Sequence, residues 1–295
     1  MSAGNTETYA MSVDLFFNRP EGRIAFTDQG TGPLVVMVPG LGDVKEEYRF
    51  LAPKVIAAGF RAVTMDLRGL GNSSVGWPAY TNAALGSDIV AFLRYLAAGS
   101  ATVIGTSMGA GAAAWAAAEA PDAISDLVLI GPFVRVLPAG SWWKSAAMKA
   151  AFAGPWANTM WATYWTSLYP TQKPADFVAY KAALLANLRE PGRMAATKAM
   201  IAAPKADVGD RLANVRSRTL VVMGSKDPDF ADAAIEGASV ARLLAGKLVM
   251  IPGAGHYPHA EMPDVTVPLI LAFLAGRKTS SDQDKRTPGK GPPSH

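Results

Sequence analysis

The chain of 295 residues has no cysteine. That excludes disulfides, thiolate metal sites and a cysteine nucleophile, and it fits a cytoplasmic protein. Histidine is nearly as scarce, so any imidazole chemistry falls to His256, His259 or His295. No apolar run is long enough to span a membrane. The most apolar stretch, "MGAGAAAWAAAEAPDA", is interrupted by Glu119, Pro121 and Asp122. The opening "MSAGNTETYAMSVDLFFN" has neither the basic nor the apolar region of a secretory leader.

Charge of one sign is also thin. The net charge is +4, and Arg277, Lys278, Lys285, Arg286 and Lys290 against Asp282 and Asp284 place most of it at the C-terminal end. The rest of the chain is close to neutral and has no basic stripe to track phosphates, so neither nucleic acid nor a membrane is expected as a partner. Oligomeric state is not readable from these features.

Apolar residues, by contrast, make up half of the chain, enough for a sizeable core. "AMSVDLFFN" and "RIAFTDQG", joined by "RPEG", read as an antiparallel pair. "LVVMV" reads as a strand buried on both faces, followed by a helical stretch with Tyr48, Leu51, Val55 and Ile56 on one face. "FRAVTMD", "ATVIGT" and "SDLVLIG" continue the strands, with helices at "TNAALGSDIVAFLRYLAAG", closed by Gly99, and "MGAGAAAWAAAEA". This alternation predicts an α/β fold, a mostly parallel sheet of about eight strands with helices on both faces. From Pro132 to about Ser217 no buried strand appears, and five of the seven tryptophans gather there. Alternation resumes with "SRTLVVMG", a helix over 232–245, "KLVMIPG" and a helix from Pro263 to about Ala275. The expected organisation is thus a core over 10–131 and 218–276, a helical cap over 132–217, and a disordered tail over 277–295.

"GTSMG" puts Ser107 between a strand and a helix, the setting of a nucleophile elbow. Gly105 and Gly109 relieve crowding at the sharp turn, and the Met108 amide points to where an oxyanion develops. A serine needs a base, and His256 sits on the loop after "KLVMI". His259, just before the last helix, reads as a packing or capping residue. The base needs an acid in turn, and "LVVMGSKDPD" offers Asp227, with Asp229 and Asp232 open on spacing alone. Asp66 reads as the residue that pins "LRGLGNSS". The glycine loop "VVMVPGLGD" supplies a second oxyanion donor, the Leu41 amide. It lacks the Lys-Ser/Thr of a P-loop and the third glycine of a dinucleotide fingerprint. No metal or organic cofactor is called for.

Four motifs in order, "DLRGLGNS", "GTSMG", "GSKDPD" and "GHYPHAEMP", make residues 10–276 resemble the α/β-hydrolase superfamily. The insertion after the sixth strand resembles the cap of its esterase, C–C hydrolase, haloperoxidase and dehalogenase group. Pro39-Gly40 stands where that group usually has His-Gly, so the bracing of the oxyanion loop must differ. The serine nucleophile sets this chain apart from the dehalogenases and epoxide hydrolases, which use aspartate. The expectation is a serine hydrolase of a carboxylic ester or related acyl substrate, acting through Ser107, His256 and Asp227. A C–C hydrolase, a cofactor-free perhydrolase or haloperoxidase, and a capped small-molecule receptor are the alternatives. Trp161, Trp165 and Leu185 are candidate pocket walls for an apolar or aromatic substrate, or else the cap's own core.

Overall fold

The computed structural model describes residues 13–135, 152, 154, 156–204 and 206–284. Trp142, Trp143 and His295, part of the expected cap and the end of the expected tail lie outside these. Eight strands form one sheet: β1 (Leu15–Arg19), β2 (Gly22–Gln29), β3 (Leu34–Val38), β4 (Arg61–Met65), β5 (Ala101–Thr106), β6 (Ile124–Ile130), β7 (Arg218–Gly224) and β8 (Lys247–Ile251). Their order is β1-β2-β4-β3-β5-β6-β7-β8. The β1–β2 and β2–β4 pairs are antiparallel and all others parallel, so the carboxyl ends of β3 to β8 open on one edge.

Alternate residues of each central strand serve opposite faces, as the two-residue period of a strand requires. Val36, Val38, Val103, Leu127 and Leu129 enter one hydrophobic core, and Val35, Met37, Ile104, Val128 and Ile130 the other. Helices α1 (Ala52–Ala57), α2 (Asn82–Leu96) and α3 (Met108–Glu119) connect the first strands. The Thr81 hydroxyl accepts from the Ala84 amide to cap α2. The α2 helix ends at Leu96, where Ala97 takes the left-handed conformation (φ 46°), ahead of the expected stop at Gly99.

Between β6 and β7 the described residues form α4 (Ala157–Ser167), α5 (Phe177–Arg189), α6 (Arg193–Ala202) and the single turn α7 (Ala206–Gly209). Then come α8 (Ala233–Leu243), α9 (Pro258–Glu261) and α10 (Pro263–Asp284). The last helix corrects one expectation, since it runs past Arg277 to Asp284 where a disordered tail was expected. Once apolar turns have nucleated a helix, each added polar residue costs little to propagate. Among the described residues no helix is long and apolar enough to cross a membrane.

Candidate active site

Ser107 follows β5 and opens α3 with φ 55° and ψ −117°, a conformation that a residue with a Cβ seldom adopts. Such strain costs about 1–3 kcal/mol and persists only where the surroundings enforce it. Here the surroundings are close. A Cβ on Gly105 would lie 2.5 Å from the Gly109 carbonyl, and one on Gly109 would lie 2.3 Å from the Pro39 carbonyl. The glycines on either side of the serine therefore let β5, α3 and the loop after β3 meet. The hydroxyl sits at the N-terminal end of α3, where the helix dipole favours developing negative charge.

His256 and Asp227 come from the loops after β8 and β7. His256 Nδ1 lies 2.7 Å from Asp227 Oδ2. The other Asp227 oxygen accepts the Asp229 amide at 3.0 Å, which fixes the carboxylate's direction. Both residues are buried. The loops are joined by backbone bonds from Lys226 to the Ala254 carbonyl and from Ser225 to the Ile251 carbonyl. Gly131, at the end of β6, approaches so closely that a Cβ there would lie 2.9 Å from His256 Nδ1. The neighbouring Ile130 carbonyl accepts the Ser107 amide at 2.8 Å, and the Phe133 amide donates to the Ser107 carbonyl. The β6 end thus borders both the serine and the histidine. Burial pulls the imidazole down, but the Asp227 carboxylate, and then Asp229, outweigh it and hold His256 up to about 9 from its ordinary 6.5.

The two other acids left open by spacing have separate places. Asp232 caps α8, its carboxylate accepting the Ile235 amide at 2.9 Å. Asp229 faces the far side of the histidine ring, with Oδ2 3.7 Å from Nε2. Both its oxygens accept the Tyr164 hydroxyl of α4, at 2.8 and 3.0 Å. Asp227, Asp229 and His256 bring ligand atoms within 4.8 Å of one another, near enough for a cation. The same groups are joined as a chain, His256 to Asp227, Asp227 to the Asp229 amide, and Asp229 to the Tyr164 hydroxyl.

A sheet in this order, a strained serine between strand and helix, and an acid–histidine pair on the next two loops coincide with a match to the α/β-hydrolase fold family over residues 33–263. The chain belongs to that family. Among curated relatives it is 26% identical to a 2-(acetamidomethylene)succinate hydrolase of Mesorhizobium japonicum, over 86% of this chain and 92% of that protein. It is 25% identical to 3-oxoadipate enol-lactonase 2 of Acinetobacter baylyi, over 68% of this chain and 73% of that one. Among solved structures, a thermophilic esterase from Thermogutta terrifontis superposes with a TM-score of 0.74 at 24% identity, covering 90% of this chain and 99% of its own.

Within this α/β hydrolase the loop after β3 is supported by a buried carboxylate. The Gly40 amide donates to Glu47 Oε2 at 2.7 Å, and a Cβ on Gly40 would lie 3.4 Å from that of Ser107. Leu41, next in the loop, is half-buried beside this contact. The other Glu47 oxygen lies 3.2 Å from His259 Nε2, close but not aligned as a hydrogen bond. Tyr48 stacks on His259, with ring centroids 5.3 Å apart. Its hydroxyl donates to the Val38 carbonyl (2.7 Å) and shares a hydrogen bond with Thr106 (2.9 Å), tying the ends of β3 and β5 together. His259 is therefore a packing residue, as expected, but one with a buried carboxylate partner. Neither Glu47 nor Tyr48 was singled out from sequence as part of the site. The available signal was the charged stretch "KEEYR" directly after the glycine loop. Asp66 holds its turn as expected, accepting the amides of Lys45 (2.7 Å) and Asn72 (2.9 Å).

The helices of the insertion close on both loops. Trp161 is seated on Gly42, where a Cβ would fall 2.2 Å from its ring, and Gly42 has φ 68°. Trp165 donates to Asp43 at 3.0 Å, and the Tyr180 hydroxyl donates to the same carboxylate. Burial first, and then neighbouring Glu47, push Asp43 up to about 7. The Leu168 carbonyl accepts the His256 amide at 3.0 Å. Glu261 accepts the amides of Gly255 (2.6 Å), Thr171 (2.8 Å) and Gln172 (2.9 Å). Trp165 packs among Tyr169, Phe177, Tyr180 and Tyr257, and Leu185 packs into the main core from α5. Trp161 touches the loop beside Ser107. Its indole N–H is buried and has no hydrogen-bond partner among the described residues.

Proposed function

We propose that the chain is a serine hydrolase that cleaves a carboxylic ester or a close acyl relative, with an apolar or aromatic acyl part, through a Ser107 acyl-enzyme. The observation that carries this reading is the strained conformation of Ser107 beside the His256–Asp227 pair. In the reaction His256 takes the Ser107 proton as the oxygen attacks the carbonyl, and Asp227 holds the tautomer and stabilises the imidazolium. The Leu41 and Met108 amides bind the oxyanion. The leaving alcohol receives the proton from His256, and water activated by the same ring releases the acid.

Residues 132–217 serve as a cap over this site, between core segments 10–131 and 218–276. Of the three candidate walls, Trp161 fits best, because its unpartnered indole N–H is a donor for a polar atom of the substrate. Trp165 and Leu185 fit packing of the cap better. The names of the two curated relatives make lactones and substituted acyl chains sensible additions to a substrate screen.

The test is turnover of p-nitrophenyl esters of increasing acyl length by the native protein and by Ser107→Ala. Loss of several orders of magnitude in the variant is expected. Equal turnover by the two would overturn the reading. Ligand-induced melting shifts with no turnover by folded native protein would favour a receptor instead.

A further inference from the structure

Asp227 is fully engaged by His256 Nδ1 and the Asp229 amide. The opposite ring nitrogen, which a serine hydrolase reserves for its nucleophile, is buried and makes no hydrogen bond among the described residues. The charged group facing it is Asp229, 3.7 Å away. The Asp229 side chain is only 9% exposed and is held in that direction by the Tyr164 hydroxyl of the helical insertion. The sequence "DPD" thus places one carboxylate on each side of a single imidazole. A carboxylate at this distance attracts a protonated Nε2–H and repels the Nε2 lone pair of the neutral ring whose Nδ1–H is given to Asp227. It therefore favours the state in which His256 cannot act as a base.

We propose that Asp229 is a positioning residue for His256: it competes with Ser107 for the Nε2 proton and holds the ring in its protonated form while the site is empty. This rests on the hydrolase reading above for its consequence in catalysis, though not for the contact itself. Among the described residues, the other groups facing the ring are few. Asp227 stands at Nδ1, and Tyr257 meets the ring edge-on with centroids 5.2 Å apart. Phe133 and Phe230 lie at 6.0 and 6.4 Å, Gly131 presses from β6, and the Leu168 carbonyl binds the backbone amide. The field of Glu47 reaches the ring more weakly than those of the two aspartates. Of the two flanking carboxylates, only Asp229 is free of a triad role. The raised titration of His256 described above agrees with this placement. Substrate bound at Ser107 would draw Nε2 away from Asp229, so the effect belongs to the free enzyme more than to the substrate complex.

The experiment follows the His256 ring directly in the full chain labelled with [15N]histidine. With three histidines, the His256 resonances are assigned by their loss in His256→Ala. Native His256 is expected to titrate above its ordinary range. Asp229→Asn and Asp229→Ser should each move that titration down by about one unit or more. If one variant fails to fold, the other decides. In parallel, the acid limb of kcat/KM on the best ester should move down in Asp229→Asn, and the limb of kcat should move less. An unchanged His256 titration in a folded Asp229 variant would overturn the proposal. Absence of ester turnover in the native protein would overturn the hydrolase reading alone, since the ring titration is read without substrate.

Discussion

Removing the Glu47 carboxylate tests whether the loop after β3 is held from below. The Glu47→Ala substitution leaves the buried Gly40 amide without its acceptor, a loss of about 1–3 kcal/mol. It also removes the carboxylate 3.2 Å from His259, a contact not aligned as a hydrogen bond. The unmade Gly40 bond therefore sets the expected total at about 1–3 kcal/mol, a sizeable part of a typical folding stability. For a chain of this size that is a fall in Tm of roughly 2–12 °C. His259→Ala should cost less after Glu47 is gone, with a coupling of about 1–3 kcal/mol in the double-mutant cycle. Glu47→Gln separates the two roles, because it keeps an acceptor for Gly40 and loses the charge beside His259. It should keep more ester turnover than Glu47→Ala, whose kcat should drop by up to about 100-fold as the loop loosens. Denaturant melts of the four proteins of the cycle, and kinetics of the native protein, Glu47→Ala and Glu47→Gln, provide the data. Additivity within about 0.5 kcal/mol would refute the claim that Glu47 and His259 act as a pair.

Three further outcomes follow from distances already given. Gly131→Ala should lower turnover at least about tenfold with little change in circular dichroism, because the new Cβ, at φ 51°, lands 2.9 Å from His256 and 3.3 Å from Asp227. Arg49→Ala removes a bidentate bond to Asp176 on the insertion (2.5 and 2.9 Å) and a guanidinium stacked 3.8 Å over Tyr180. It should cost only about 1 kcal/mol, yet speed amide exchange in α5 more than in the sheet, and equal protection in both proteins would rule that out. Stability should fall as pH rises. His256, raised to about 9, stabilises the fold fully below its ordinary 6.5, and this contribution disappears as pH climbs through 9. Asp43, raised to about 7, and Asp66, raised to about 6, bind protons in the fold that the unfolded chain has lost, so each erodes stability between 3.8 and its own raised value. Melting temperature against pH, for native protein and His256→Ala, should differ in slope between pH 6.5 and 9.

The sheet was legible in the sequence because its central strands are buried on both faces and read as short unbroken apolar runs such as "LVVMV" and "LVLI". The elbow was legible because two glycines with a serine between them, after such a strand, have few other uses. Asp227 was preferred as the acid, but spacing alone left Asp229 and Asp232 open beside it. Choosing among Asp227, Asp229 and Asp232 requires knowing which carboxylate the turn directs at which ring nitrogen, and spacing carries no direction. Glu47 and His259 are far apart in the chain, so nothing local marks either as the other's partner. The end of α2 was misplaced because Ala97 takes a left-handed turn that glycine is expected to fill. The tail was read from polarity, although polar residues extend an anchored helix readily.

The stitching between the helical insertion and the loops below it limits how this protein can be re-engineered. Trp161 on Gly42, Trp165 and Tyr180 on Asp43, and the Thr171 and Gln172 amides on Glu261 join the insertion to both loops of the site. The insertion is consequently not an interchangeable module. A chimera carrying a relative's helices on this sheet would orphan two buried carboxylates and open a hole above Gly42. Transplants that succeed should be those that bring residues 40–49 and 253–261 from the same donor.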